Sequence, residues 1–136
     1  MKAMYFKAPF QFELRDVSLR APERDEVIVR VCACGFCGHD LILARYAAKD
    51  WQPFGHEFSG IVEQVGADVT NVCVGDSVAI ETSTFNFVGD LARNGRPDLD
   101  THGPSFMDME HTAMGFAERT VVPACLCVKT EGVPFE

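Results

Sequence analysis

Basic residues are scarce in this chain, 12 Lys and Arg against 20 Asp and Glu, which leaves a formal charge of −8 and no Lys/Arg stripe. A protein that neutralises phosphates needs the opposite balance, so nucleic acid is excluded as a main partner. No apolar run approaches the roughly 20 residues a membrane span requires. Met1 to Pro9 also lacks the apolar stretch of a signal peptide. A soluble, cytoplasmic protein with no membrane partner is expected. Internal repeats are absent, and so is a Gly-x-Gly-x-x-Gly between a strand and a helix, the turn that receives the pyrophosphate of a dinucleotide. Alone, the chain should have no place for NAD(P).

What is present describes one globular unit, residues 1–136. The hydrophobic fraction of 47%, with seven Pro and 11 Gly spread along the sequence, fits a chain rich in turns and strands. Met1 to Phe6, Phe12 to Val17 and Glu26 to Cys34 read as strands, the last nearly continuous in apolar and β-branched residues. Gly35 ends that strand. His39 to Tyr46 has the composition of a short helix with Cys37-Gly38 at its N-terminal edge. Phe58 to Val65 and Asp76 to Glu81 are further strands, each bounded by a Gly-containing turn. Residues 82–111, dense in Asn, Gly, Pro, Asp and Ser, predict a long loop or lobe; Phe116 to Val122 and Cys125 to Lys129 resume strand character. The end, Gly132 to Glu136, reads as cut rather than finished.

Six cysteines raise the question of disulfides. Cys32, Cys34, Cys125 and Cys127 lie in apolar strand-like runs, where a free cysteine behaves as a small buried hydrophobe, so reduced thiols are expected. Cys37 is different. Together with His56 it offers a thiolate and an imidazole from two separate turns, which is what a catalytic zinc requires; such a site takes three protein ligands and keeps one position open. A convincing third ligand is missing. Cys34-x-x-Cys37 could form a cysteine-only zinc knuckle, but Cys34 ends a buried strand while Cys37 starts a helix, so packing accounts better for Cys34.

The stretch from Gly55, G-H-E-F-S-G-I-V-E-Q-V-G-A-D-V, resembles the zinc signature of the medium-chain dehydrogenase/reductases, the zinc-dependent alcohol dehydrogenase superfamily. The order ACGFCGHD, PFGHEFSG, Val74-Gly75-Asp76 and GFAERTVVPA is similar to that family's N-terminal half across essentially the whole chain. The resemblance implies a mainly β, GroES-like, partly open barrel with one or two short helices. It implies Cys37 and His56 as zinc ligands, with Glu57 stabilising the metal from beside it or exchanging as a transient ligand. It makes Asp40 the acceptor of the other ring N–H of His56, although an acid in a first helical turn is also favoured by the dipole alone. His39 occupies the position where the family has Ser or Thr, whose hydroxyl relays the substrate proton; an imidazole can do the same, and a solvent-exposed histidine is the plain alternative.

The sequence also departs from the family. The four cysteines of its structural zinc fall on Asn86, Gly89, Ala92 and Asp100, so that metal is not expected. The nearby Asp98, Asp100, His102, Asp108, Glu110 and His111 read as a solvated acidic loop. The family's third zinc ligand and its Rossmann half fall beyond these residues. The expected function is therefore the catalytic-zinc domain of an oxidoreductase acting on a small alcohol or carbonyl substrate. Zinc would be its own cofactor, and NAD(P) would be held by a Rossmann half in cis or trans. A non-catalytic GroES-like module that docks on a partner is the alternative.

Overall fold

The computed structural model describes residues 1–82, 90–96, 99 and 111–135. Among the described residues eight strands form two antiparallel sheets. The smaller has the order β2-β1-β4, from β1 (Lys2–Lys7), β2 (Gln11–Asp16) and the two-residue β4 (Gln52–Pro53). The larger has the order β7-β3-β5-β6-β8, from β3 (Glu26–Cys34), β5 (Phe58–Val65), β6 (Ser77–Ile80), β7 (Arg119–Pro123) and β8 (Cys127–Lys129). Between β3 and β4 runs α1 (Gly38–Ile42), whose last turn loosens into a π-helical segment, Leu43–Ala47.

β3 is an interior strand, held between β7 and β5, because it can bury so much of itself. Its first four residues, Glu26 to Val29, are all buried, and Val27 and Val29 face Val62 of β5 and Val122 of β7 in the main core with Val78 and Leu126. Burial of each such side chain stabilises by up to roughly 1.5–3 kcal/mol. β5 alternates buried and half-buried residues from Phe58 to Val62, the period of a strand with one face on the core. The two sheets are stitched by the segment before β7. Met4 N–H donates to Phe116 O at 2.8 Å, Glu118 N–H to Lys2 O at 3.1 Å, and Val31 N–H to Glu118 O at 3.1 Å.

The mainly β, GroES-like class with a short helix agrees with the sequence, and β3 and β5 have the boundaries expected of them. Three expectations need correction. The strand expected from Phe116 begins at Arg119, because residues 116–118 spend their backbone groups bridging sheets. Residues 124–126 form a 3₁₀ turn, so the last strand is only Cys127–Lys129. Cys32 and Cys125 are exposed rather than buried, Cys34 is half-buried, and only Cys127 is fully buried; none is in a disulfide. Cys32 falls at a register shift, between the pairs Val31–Gly60 and Ala33–Ser59, and the extra residue of a bulge has no partner across the ladder. Of the 82–111 lobe, the described residues include a four-residue helix, Asp90–Arg93. Asn86, Gly89 and Asp100 lie outside the described residues, as does the side chain of Ala92. Among the described residues no helix is long and apolar enough to cross a membrane.

Candidate metal centre

Cys37 is the N-cap of α1, in extended backbone conformation (φ −99°, ψ 175°). Its sulfur accepts the His39 N–H at 3.2 Å, and its own N–H donates to Asp40 Oδ2 at 3.1 Å. This is a capping box with a thiol in the place normally held by Ser or Thr, and the acid at the third helical position. The cap fixes Cys37 and Asp40 relative to each other before any metal is considered. Asp40 is 1% exposed.

His56 arrives on the turn between β4 and β5. Gly55 takes φ 91°, a conformation that side chains disfavour, and this lets the chain reverse tightly enough to aim His56 inward. The ring is 6% exposed. Its Nε2 stands 3.4 Å from Cys37 Sγ, and its Nδ1 stands 3.5 Å from Asp40 Oδ1. The thiol, carboxylate and imidazole offer one donor atom each, all within 4.8 Å of one another. The ring divides this trio: sulfur faces one nitrogen and the carboxylate the other. Asp40 Oδ1 thus lies on the Nδ1 side of the ring, away from the Nε2 that faces Cys37 Sγ.

Zinc–sulfur and zinc–nitrogen legs near 2.3 and 2.0 Å at a tetrahedral angle put the two donor atoms about 3.5 Å apart. The observed 3.4 Å fits that bite without rearrangement.

The other expected site residues fall around this pair rather than in it. His39 sits edge-on to His56, ring centroids 5.6 Å apart, on the wall of a cleft of about 270 Å³. Glu57 lines a different cleft with Cys34, Gly35 and Glu81, and its carboxylate is not among the donor atoms gathered at Cys37, Asp40 and His56. Cys34 is no part of the trio either. Burial, reinforced by the charges of Asp40, Glu57 and Cys37, pushes its thiol up to about 12, which disfavours the thiolate a knuckle would need. Of the aromatics near the site, Phe54 does line the cleft, whereas Trp51 packs under the Arg15 guanidinium. Leu43, Gln52 and Met114 also line the cleft. Sequence reasoning missed Leu43 and Met114. Leu43 was legible as the helix position one turn after Asp40, but nothing local marks Met114, which reaches the cleft from far downstream.

Residues 23–132 match the family described as the alcohol dehydrogenase GroES-like domain. The chain is 35% identical over 121 residues to L-threonine 3-dehydrogenase of Bacillus velezensis, covering 85% of this chain and 34% of that enzyme. It superposes on a cobalt- and zinc-bound thermostable alcohol dehydrogenase from Pyrobaculum aerophilum with a TM-score of 0.82 and 28% identity, over 98% of this chain and 42% of that one. An alcohol dehydrogenase from Escherichia coli CFT073, solved with NADH, gives a TM-score of 0.80 and 29% identity over 99% and 40%. The chain thus spans well under half the length of these relatives. With the match running from just before β3 to just past β8, and the two-sheet architecture shared over nearly every residue, this chain belongs to the alcohol dehydrogenase GroES-like domain family.

Proposed function

We propose that this chain is the metal-holding part of a zinc-dependent, alcohol dehydrogenase-type oxidoreductase, with Cys37 Sγ and His56 Nε2 as two of the zinc ligands. The observation that carries the reading is the 3.4 Å separation of those atoms, with Asp40 behind the far nitrogen of the same ring. When bound there, zinc supplies Lewis-acid polarisation of the oxygen of an alcohol or carbonyl substrate.

The chain's own residues do the rest of what falls to this half. Asp40 holds the His56 proton on Nδ1, which leaves the Nε2 lone pair facing Cys37. His39, on the wall of the cleft, takes the hydroxyl proton of an alcohol substrate and passes it toward solvent, since an imidazole both accepts and donates near neutral pH. Leu43, Phe54 and Met114 give the cleft an apolar lining that excludes water from the reacting carbon. Glu57 acts on the site from outside the trio, as a nearby negative charge or a ligand that exchanges in. Hydride passes to NAD(P)+ bound by a Rossmann half that is not within these 136 residues, in the cytoplasm.

The second reading is a non-catalytic module. It is favoured by the donor set itself: of the three donors gathered among the described residues, Cys37 Sγ and Asp40 Oδ1 face opposite nitrogens of His56, so with Asp40 on the far nitrogen the set is one ligand short of a catalytic site. Metal content separates the two. The purified chain should bind about one zinc, weakly, and Cys37→Ser and His56→Ala should each abolish it; equal metal in the wild type and both variants would show that the site is elsewhere.

A further inference from the structure

His56 is held in place by two backbone tethers. On one side Gly115 N–H donates to Gly55 O at 2.7 Å and Phe116 N–H to Phe54 O at 3.2 Å; on the other, Gly35 N–H donates to Glu57 O at 2.7 Å. The three segments that converge here, 34–35, 54–57 and 115–116, come from distant parts of the chain. Segments 54–57 and 115–116 are hydrogen-bonded to each other, and both pack against one atom of the third, Cys34 Sγ. A methyl group built on Gly55 would land 2.5 Å from Phe116 Cδ2 and 2.8 Å from Cys34 Sγ, and one built on Gly115 would land 2.6 Å from the same sulfur and 2.9 Å from Gly55 O. Contacts below 3.0 Å are not tolerated, so neither backbone can come closer to the sulfur with a side chain attached.

Cys34 has no task among the groups that would touch metal or substrate. Its position does bear on them: a shift of the Gly55 backbone moves the neighbouring imidazole relative to Cys37 Sγ, and one ion tolerates only a few tenths of an ångström in that separation.

We propose that Cys34 is a positioning residue, whose sulfur is a spacer packed against both Gly55 and Gly115 that holds this hydrogen-bonded pair of segments in place, and with it the distance from His56 Nε2 to Cys37 Sγ and so the fit to the metal. This rests on the reading of Cys37 and His56 as ligands. It predicts a size relation: the sulfur and the missing Cβ of Gly115 compete for one volume.

The test loads the chain with Co(II) and follows its visible absorption, where thiolate charge-transfer and d–d bands report ligand identity and geometry. Cys34→Ser, Cys34→Ala, Gly115→Ala and the Cys34→Ala/Gly115→Ala double variant are compared with the wild type, with thermal unfolding measured in parallel. Gly115→Ala should weaken Co(II) binding about 10–100-fold and shift the d–d bands, Cys34→Ala should weaken it about tenfold, and Cys34→Ser should stay close to wild type. The double variant should bind more tightly than Gly115→Ala alone, because the added methyl enters the space the sulfur left. Rescue will be partial, since Phe58 Cδ1 stands 2.9 Å from the same methyl position. If Gly115→Ala does not fold, the Cys34→Ala against Cys34→Ser comparison still decides, as a merely structural role lowers the unfolding temperature without moving affinity or bands. Wild-type binding with unchanged affinity and bands in every variant, or losses that simply add in the double variant, overturns the spacer alone. A wild-type chain that takes up no Co(II) overturns the ligand reading beneath it.

Discussion

Asp40→Asn should separate two jobs that one buried side chain performs. Asp40 Oδ2 accepts the Cys37 N–H at 3.1 Å, and Oδ1 faces His56 Nδ1 at 3.5 Å, long for a hydrogen bond but close enough to decide which nitrogen carries the proton. Asn keeps an oxygen for the first contact and presents an NH2 to the second. The cap survives, and no charge has to be held in a site that is 1% exposed. Stability of the metal-free chain should therefore stay within about 1 kcal/mol of wild type. Asp40→Ala has no such oxygen. It leaves the Cys37 N–H without its partner in the capping box, about 1–3 kcal/mol. In a domain of this size that is roughly 3–12 °C in Tm. For metal the two variants converge. An Asn NH2 facing Nδ1 favours the tautomer with hydrogen on Nε2, the atom that looks at Cys37 Sγ, so zinc affinity should fall about 10–100-fold in Asn as well as in Ala. Thermal unfolding in chelator gives the first quantity and zinc competition against a chromogenic chelator the second. Wild-type zinc affinity in Asp40→Asn would mean that the acid caps the helix and does nothing for His56.

Four further outcomes are expected. Glu26, buried against the Arg20 guanidinium and the Glu23 N–H, has its carboxyl held below the ordinary range, chiefly by the Arg20 hydrogen bonds. The stability this confers is complete above the unfolded value of about 4.3 and is lost as pH falls through the lower folded one, so Glu26→Gln should flatten the acid limb of a stability–pH curve. Burial pushes the Cys127 and Cys34 thiols up to about 12, while Cys32 and Cys73 are exposed. Iodoacetamide at pH 8, read by mass spectrometry, should therefore modify Cys32 and Cys73 well before Cys127. Gly60→Ala should cost about 3 kcal/mol or prevent folding, since its Cβ would fall 2.1 Å from Arg30 O on the paired strand; a soluble variant with wild-type Tm would refute that register. Titrating NADH into the chain should give no saturable fluorescence change, because no sequence here forms the pyrophosphate turn.

The parts of this molecule legible in sequence are those whose signals are local. EVIVRVCAC and FSGIVEQV carry their own burial pattern, and both strands have the limits expected of them. The Cys37–Asp40 cap is likewise written within four residues. The juxtaposition of Cys37 with His56 was legible only through the order of two motifs, since no periodicity links them. What escaped depends on partners far away. The exposure of Cys32 follows from a bulge that β5 imposes on β3, and the bridging role of residues 116–118 exists only once β1 lies beside them. Met114 enters the cleft for the same reason. Among these, Gly115 is the most instructive case. A glycine in an unremarkable loop run is demanded by a sulfur 81 positions earlier, and no window of sequence could show that.

The place of β3 between β5 and β7 has a consequence for synthesis. Until residues 119–129 emerge from the ribosome, one whole edge of β3 lacks its ladder, β6 lacks β8, and Val122 and Leu126 are missing from the centre of the core. The hairpin of β1 and β2 waits as well, because Lys2 and Met4 take their cross-sheet hydrogen bonds from residues 116–118. At roughly 5–20 residues per second, the nascent chain carries the bare valines of β3 for several seconds before its closing strands exist. Contacts of such long sequence separation also form slowly once available. During that interval the apolar strand is open to other growing chains, so the yield of this protein in a cell should depend more on chaperone capacity and translation rate than on the stability of the finished fold.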